Sequence, residues 1–193
     1  MCVIFRVTGW PTAGPSRFCS HGRADPHQRR RHAPRTSTDN ACGFRLALAP
    51  ASEDDFEALF ALRMAAMRDS LQRLGRFDPQ RARERLSRAF EPAHTRHILL
   101  GGEPVGFVVL LPQAGQLVLD QLYIQPQAQR RGVGSWVMTQ VLAEADRLAQ
   151  PVRVMALKRS DANSFYLRHG FVLQHESEWD LHYLRPALGA VDG

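Results

Sequence analysis

The chain has 193 residues, 44% of them hydrophobic and 23% charged, with Lys+Arg 25 against Asp+Glu 19. The formal charge of +6 invites a polyanion as partner, yet it is unevenly placed. Residues 1–43 carry Arg6, Arg17, Arg23, Arg29, Arg30, Arg31 and Arg35 against Asp25 and Asp39, a net +5, which leaves residues 44–193 at +1. That split argues against nucleic-acid binding by the body of the protein and confines any such binding to the leader. No apolar run approaches the roughly 18 residues needed to span a bilayer.

Residues 8–43 are rich in Gly, Pro, Ser, Thr, Arg and His without helical or strand period, and read as a disordered basic leader. The opening MCVIFRVTGW is broken by Arg6 and Gly9 and does not make a secretory signal, so a cytoplasmic protein is expected. Cys2, Cys19 and Cys42 all fall in the leader. The domain at 44–193 therefore has no cysteine for a disulfide, a metal site or a nucleophile.

Phe44–Leu48 alternates and predicts a first strand, ended by Pro50. Ser52 with Asp55 three residues on has the pattern of a capping box. Phe56, Phe60, Met64, Met67, Leu71 and Leu74 then follow at helical spacing up to Gly75. Asp78-Pro79 starts a second helix, whose buried face is Ala82, Leu86 and Phe90 and which Pro92 closes. Arg96–Leu100 and Val105–Leu111 predict a hairpin turning at Gly101-Gly102-Glu103, and Leu117–Ile124 a third strand ended by Pro126. Val133, Val137, Val141, Ala145 and Leu148 mark a long amphipathic helix. Val152–Leu157 is a short apolar strand, Ser160-Asp161 caps a short helix ending at Gly170, and Phe171–Gln174 and Trp179–Leu184 finish the fold as strands. The order is β-α-α-β-β-β-α-β-α-β-β.

Gln129-Arg130-Arg131-Gly132-Val133-Gly134 lies between a strand and a helix. Glycines there let a ligand approach the backbone, and the first N–H groups of a helix point at an anion. With the helix dipole and two arginines this suits a diphosphate, although a tight strand-to-helix turn explains the same residues.

The stretch LDQLYIQPQAQRRGVGSWVMTQVLAEA, followed by SDANSFYLRHGF, resembles the GNAT superfamily of N-acetyltransferases. The features that carry the resemblance are the strand Leu122–Ile124, Pro126, the run Gln129–Gly134, and some 30 residues later Phe165-Tyr166 and Gly170-Phe171. It covers roughly residues 44–185 and has no counterpart for the leader. The fold it implies is of the α/β (α+β) class: a mixed, mostly antiparallel central sheet flanked by helices. The strands Leu117–Ile124 and Val152–Leu157 would be parallel neighbours that splay apart. Acetyl-CoA is the implied co-substrate. Its pantetheine arm would pair with the backbone of Leu122, Tyr123 and Ile124. Its diphosphate would lie on the N–H groups of Arg131, Gly132, Val133, Gly134 and Ser135, with Gln129 and Arg130 completing the cradle.

The resemblance also sets Tyr166 against the sulfur, where a phenol can donate a proton to the departing thiolate. The alternative is a packed aromatic beside Phe165. The family often has an Asn seven residues before this Tyr; here that residue is Arg159, and Asn163 either contacts the cofactor or bonds the first turn of its own helix. Asp120, just ahead of the pantetheine segment, is the candidate general base, against a solvent-facing strand residue or a water chain in that role. In Glu176–Tyr183, alternation would place Glu176, Glu178, Asp180 and His182 on one face and Trp179, Leu181 and Tyr183 inward. The two-helix region is dense in arginine (Arg63, Arg68, Arg73, Arg76, Arg81, Arg83, Arg85, Arg88), and Arg63 alone falls on an apolar stripe, aimed toward the cleft. His94 and His97 have no third ligand nearby in sequence, so no metal is expected. The function implied is direct acetyl transfer from acetyl-CoA to an amine, a small molecule rather than a protein. A non-catalytic acyl-CoA sensor of the same fold is the rival. A homodimer is left open.

Overall fold

The computed structural model describes residues 38–39, 45–73 and 78–188. The rest of the leader, including its three cysteines, and the expected first strand residue Phe44 lie outside the described residues, as do Leu74 and the helix stop at Gly75. Within the segment expected to lack structure, Thr38–Asp39 forms a two-residue strand, β1, that pairs with Arg45 and Leu46.

The elements then run β2 (Arg45–Pro50), α1 (Phe56–Arg73), α2 (Pro79–Ala89), β3 (Thr95–Leu100), β4 (Glu103–Gln113), β5 (Gln116–Ile124), α3 (Val133–Arg147), β6 (Val152–Leu157), α4 (Ala162–Arg168), β7 (Val172–Glu176) and β8 (Asp180–Arg185). A single 3-10 turn, Glu53–Asp55, leads into α1, where the carboxylate of Asp55 accepts from the backbone N–H and the hydroxyl of Ser52 at 2.7 and 2.8 Å. Asp78 caps α2 by accepting from the N–H of Arg81 at 3.0 Å. Both starts are those the sequence signals, because a short side-chain oxygen satisfies helix donors that have no partner inside the helix.

The sheet order is β1-β2-β3-β4-β5-β6-β8-β7, antiparallel at every pairing except β5 with β6. One face packs on α3 and α4 through Leu110, Leu117, Leu119, Leu122, Ile124, Val137, Met138, Val141, Phe165 and Tyr166. The other face is covered over β4 and β5 by α1 and α2, through Leu59, Leu62, Met67, Leu86, Phe107 and Tyr123. Arg83 bridges the two covering helices: it pairs with Glu57 and lies over the rings of Phe56 and Phe60 at 5.2 and 5.3 Å.

Two bidentate ion pairs fix α3 on the sheet. Arg96 of β3 donates to Glu144 at 2.7 and 2.9 Å, and Arg185 of β8 donates to Asp146. Fork-to-fork geometry gives such pairs direction as well as strength. They hold the C-terminal half of α3 to strands on both sides of the β5–β6 junction, and so fix where its N-terminus points.

One expectation fails near the C-terminus. Glu176 ends β7 and Asp180 begins β8, with a turn between them closed by Ser177 and Asp180. A hairpin turn resets the alternation, so the four polar residues do not form one continuous strand face. Glu176 instead pairs with Lys158 at 2.9 Å, and Trp179 is exposed rather than inward.

Candidate active site

The parallel ladder between β5 and β6 pairs Leu117 with Val152, Val118 with Arg153 and Leu119 with Val154, and ends there. From Asp120 onward the strands part. Beyond Leu119 and Val154 no ladder joins the two strands, which leaves a slot between the later part of β5 and β6.

The parting coincides with a bulge. Across β4 the register passes from Leu110 opposite Leu119 to Val109 opposite Gln121, so Asp120 is the extra residue. A bulge re-aims side chains and increases strand twist. Its effect shows in the burial pattern. Leu117 and Leu119 face α3 and α4, as do Leu122 and Ile124, a change from odd to even positions across Asp120-Gln121. Asp120 and Gln121 can then hydrogen-bond side by side, Gln121 Nε2 donating to Asp120 Oδ2 at 3.2 Å. Both are buried, and so is Arg63 of α1. Arg63 donates from Nη1 to the carbonyl of Ala82 in α2 at 3.0 Å and lies 5.6 Å from the ring centre of Tyr123. Burial raises the Asp120 carboxyl above the ordinary carboxylate range, opposed by the Gln121 hydrogen bond and the Arg63 charge.

Gly106 shapes the same region and carries no motif that announces it. It faces Ile124 across the sheet, and a Cβ there would lie 2.3 Å from the carbonyl oxygen of Tyr123. The residue is glycine because two backbones approach where only hydrogen fits.

At the open end of the slot, Gly132 is the N-cap of α3 in a left-handed conformation (φ 79°), with no side chain capping the helix. The first helical bond runs from Trp136 N–H to Gly132 carbonyl. The N–H groups of Val133, Gly134 and Ser135 thus precede the intrahelical ladder. A Cβ on Gly132 would meet nothing within 4 Å, whereas one on Gly134 would sit 3.4 Å from Ile124 and 3.6 Å from Phe165. The first glycine serves conformation; at the second a Cβ would make ordinary contacts with the core. Arg130 and Arg131 lie on the turn, Arg130 with φ 60°. Gln129 does not reach outward: its Nε2 donates to the Ile124 carbonyl at 2.8 Å and braces the end of β5 against the turn.

Tyr166 of α4 is completely buried, with ring centres of Phe165, Phe171 and Tyr183 at 5.4, 5.4 and 6.1 Å. Burial, with a smaller contribution from Tyr123, pushes its hydroxyl well above the ordinary phenol range, so it is protonated at neutral pH. Tyr123 packs with the α1 side and Tyr166 with the α4 side of the sheet.

Asn163 is spent within the fold. Its Nδ2 donates to the carbonyls of Leu157 and Ser160, both at 2.9 Å, and its Oδ1 accepts from the Tyr183 hydroxyl at 3.0 Å. Of the two readings its position allowed, local bonding is the one present. His97 pairs with Asp55 at 3.1 Å and His94 with Glu91 at 3.6 Å; no group of three or more His, Cys, Asp or Glu among the described residues could hold a metal. No helix among them is long and apolar enough to cross a membrane.

The mixed sheet, with its central parallel pair and the glycine turn opening the helix between those strands, matches the GNAT fold. Residues 93–173 match the family described as acetyltransferase (GNAT) domain. No curated protein matches the chain by sequence. Among solved structures, it is similar to the PaiA N-acetyltransferase of Thermoplasma acidophilum in complex with coenzyme A (15% identity, TM-score 0.61, covering 73% of this chain and 98% of that one). It is also similar to the ribosomal-protein-S18-alanine N-acetyltransferase of Escherichia coli (12%, 0.59, 77% and 97%). An acetyltransferase from Thermus thermophilus is a third (23%, 0.57, 73% and 96%). At these identities the likeness is one of fold.

Proposed function

We propose that the protein transfers the acetyl group of acetyl-CoA directly to the nitrogen of a small-molecule amine. The observation that carries this reading is the end of the β5–β6 ladder at Leu119–Val154, with the N-terminus of α3, which no side chain caps, following β5. The pantetheine arm would lie along Leu122–Ile124 as an added strand, and the N–H groups of Arg131–Ser135 would take the diphosphate. Gln129 and Asn163 would support this cradle by bracing its walls rather than by touching the cofactor.

Asp120 would accept the proton of the acceptor ammonium, directly or through water, leaving an amine lone pair to attack the thioester carbon. The C–N bond forms as the C–S bond breaks, Tyr166 delivers a proton to the departing thiolate, and the second proton that the nitrogen sheds as the amide forms returns to the phenolate. A buried, protonated phenol and a carboxyl with raised proton affinity are suited to those two tasks.

A screen of amines that follows CoA thiol release tests the reading, with the full chain and with residues 1–43 deleted. Thiol release that depends on the amine is expected in both. Binding of acetyl-CoA with no thiol release across small amines, amino acids and peptide amines would favour the sensor instead. That screen, followed by size measurement of the active species, also addresses whether two copies act together.

A further inference from the structure

Arg63 is a poor choice for a structural link. Its Nη1 joins α1 to the Ala82 carbonyl of α2, a task any neutral donor could perform, while its Nε–H is buried and has no hydrogen-bond partner among the described residues. A buried guanidinium carries a large desolvation cost unless something nearby needs its charge. Asp120 is such a group. It is 6% exposed, and one amide N–H of Gln121 is a weak substitute for the water it has lost.

Among the described residues, the surroundings of Asp120 are otherwise short of cations. On β4 its neighbours are Val109 and Leu110, and on its own strand Gln121 and Tyr123. Arg153 of β6 lies in register with Val118, toward the closed end of the slot. α1 supplies the buried Arg63, whose guanidinium lies 5.6 Å from the ring centre of Tyr123, three residues along β5 from Asp120.

Resting on the reading of Asp120 as the base, we infer that Arg63 is a positioning residue for proton transfer: a buried counter-ion that keeps Asp120 a carboxylate able to accept the acceptor's proton. The helix that covers the sheet thereby sets the protonation state of the bulge residue beneath it, and α2, held by the Ala82 carbonyl, fixes where that charge sits.

The test compares R63M, R63Q and R63K in the full chain. R63M fills the volume with an apolar chain, an exchange buried charges often tolerate, so folding is preserved in at least one neutral variant. The readout is the carboxyl 13C shift of aspartate-labelled protein against pH, with Asp120 assigned by its loss in D120N. It needs neither acceptor nor acetyl-CoA. The Asp120 titration moves to higher pH in R63M and R63Q and stays near wild type in R63K. With an amine from the screen, kcat/KM in R63M falls several-fold more at pH 6 than at pH 9, whereas R63K loses equally at both. An unmoved Asp120 titration in R63M, with D120N inactive, overturns the counter-ion role and leaves the base intact. Full turnover by D120N overturns the base, and the inference with it.

Discussion

The two faces of the sheet at the splay are built from different materials. On the α3 side the proposed site is mostly backbone: an open strand edge, an uncapped helix start and two glycines, over a dry apolar core. On the α1 side it is side chain: Arg63, Asp120, Gln121 and Tyr123, nearly all removed from water. A ligand shared by a whole family can be held by backbone, which tolerates changes of side chain. Proton transfer needs particular groups at particular proton affinities, and burial supplies those. Tyr166 is the exception, a fully buried side chain on the α3 and α4 side whose hydroxyl burial keeps protonated.

If this division is correct, its largest consequence follows from Tyr166→Phe. Positioned acids and bases contribute about 10² to 10⁴ in rate. The variant is expected to lose at least about a hundredfold in kcat, while calorimetry shows unchanged acetyl-CoA affinity. A parallel loss of affinity would instead make the ring a packing element.

Asp120→Asn separates activity from stability. Turnover should fall by a comparable factor. The folded state holds the Asp120 proton to higher pH than the unfolded chain does, so the carboxylate costs stability as pH rises above the ordinary carboxylate range. Removing the ionisable group lifts that cost, and Tm at pH 7 should rise relative to wild type. A fall in Tm at pH 7 with unchanged Tm at pH 4 would reverse the assignment.

Gly106→Ala brings a methyl against the Tyr123 carbonyl and should destabilise by about 1–3 kcal/mol, read by denaturant unfolding. Gly132→Ala costs roughly 1–2 kcal/mol for the left-handed backbone and should weaken acetyl-CoA binding, leaving the Asp120 titration untouched. The smallest effect is remote from the slot. The backbone N–H of Ser52, His97 and the Ser52 hydroxyl hold Asp55 at about 2, so its contribution is present above the ordinary carboxylate range and lost as pH falls toward 2. Asp55→Asn should flatten the acid limb of the stability curve there and nowhere else.

The backbone half of this site was legible in the sequence because it depends on local patterns. Pro126, the Gln129–Gly134 run and Gly170-Phe171 each report a turn or a helix boundary, and the element order follows from periodicity. The side-chain half was partly hidden. Arg63 on an apolar stripe marked itself, but its neighbours come from α2 and β5, far away in sequence. The bulge did leave a trace: Leu117 and Leu119 against Leu122 and Ile124, a change of parity around Asp120-Gln121 that a strict alternating strand does not contain. Gly106 left none, because the carbonyl that excludes its Cβ belongs to another strand. The run Glu176–Tyr183 misled in the opposite way, since a turn at Ser177 divides what reads as one alternating segment.

The slot and the α3 N-terminus are proposed to receive acetyl-CoA. Calorimetric titration of the full chain with acetyl-CoA measures that directly. One molecule per chain is predicted to bind, with affinity lowered in Gly132→Ala and kept in Tyr166→Phe; absence of binding at millimolar acetyl-CoA would contradict it.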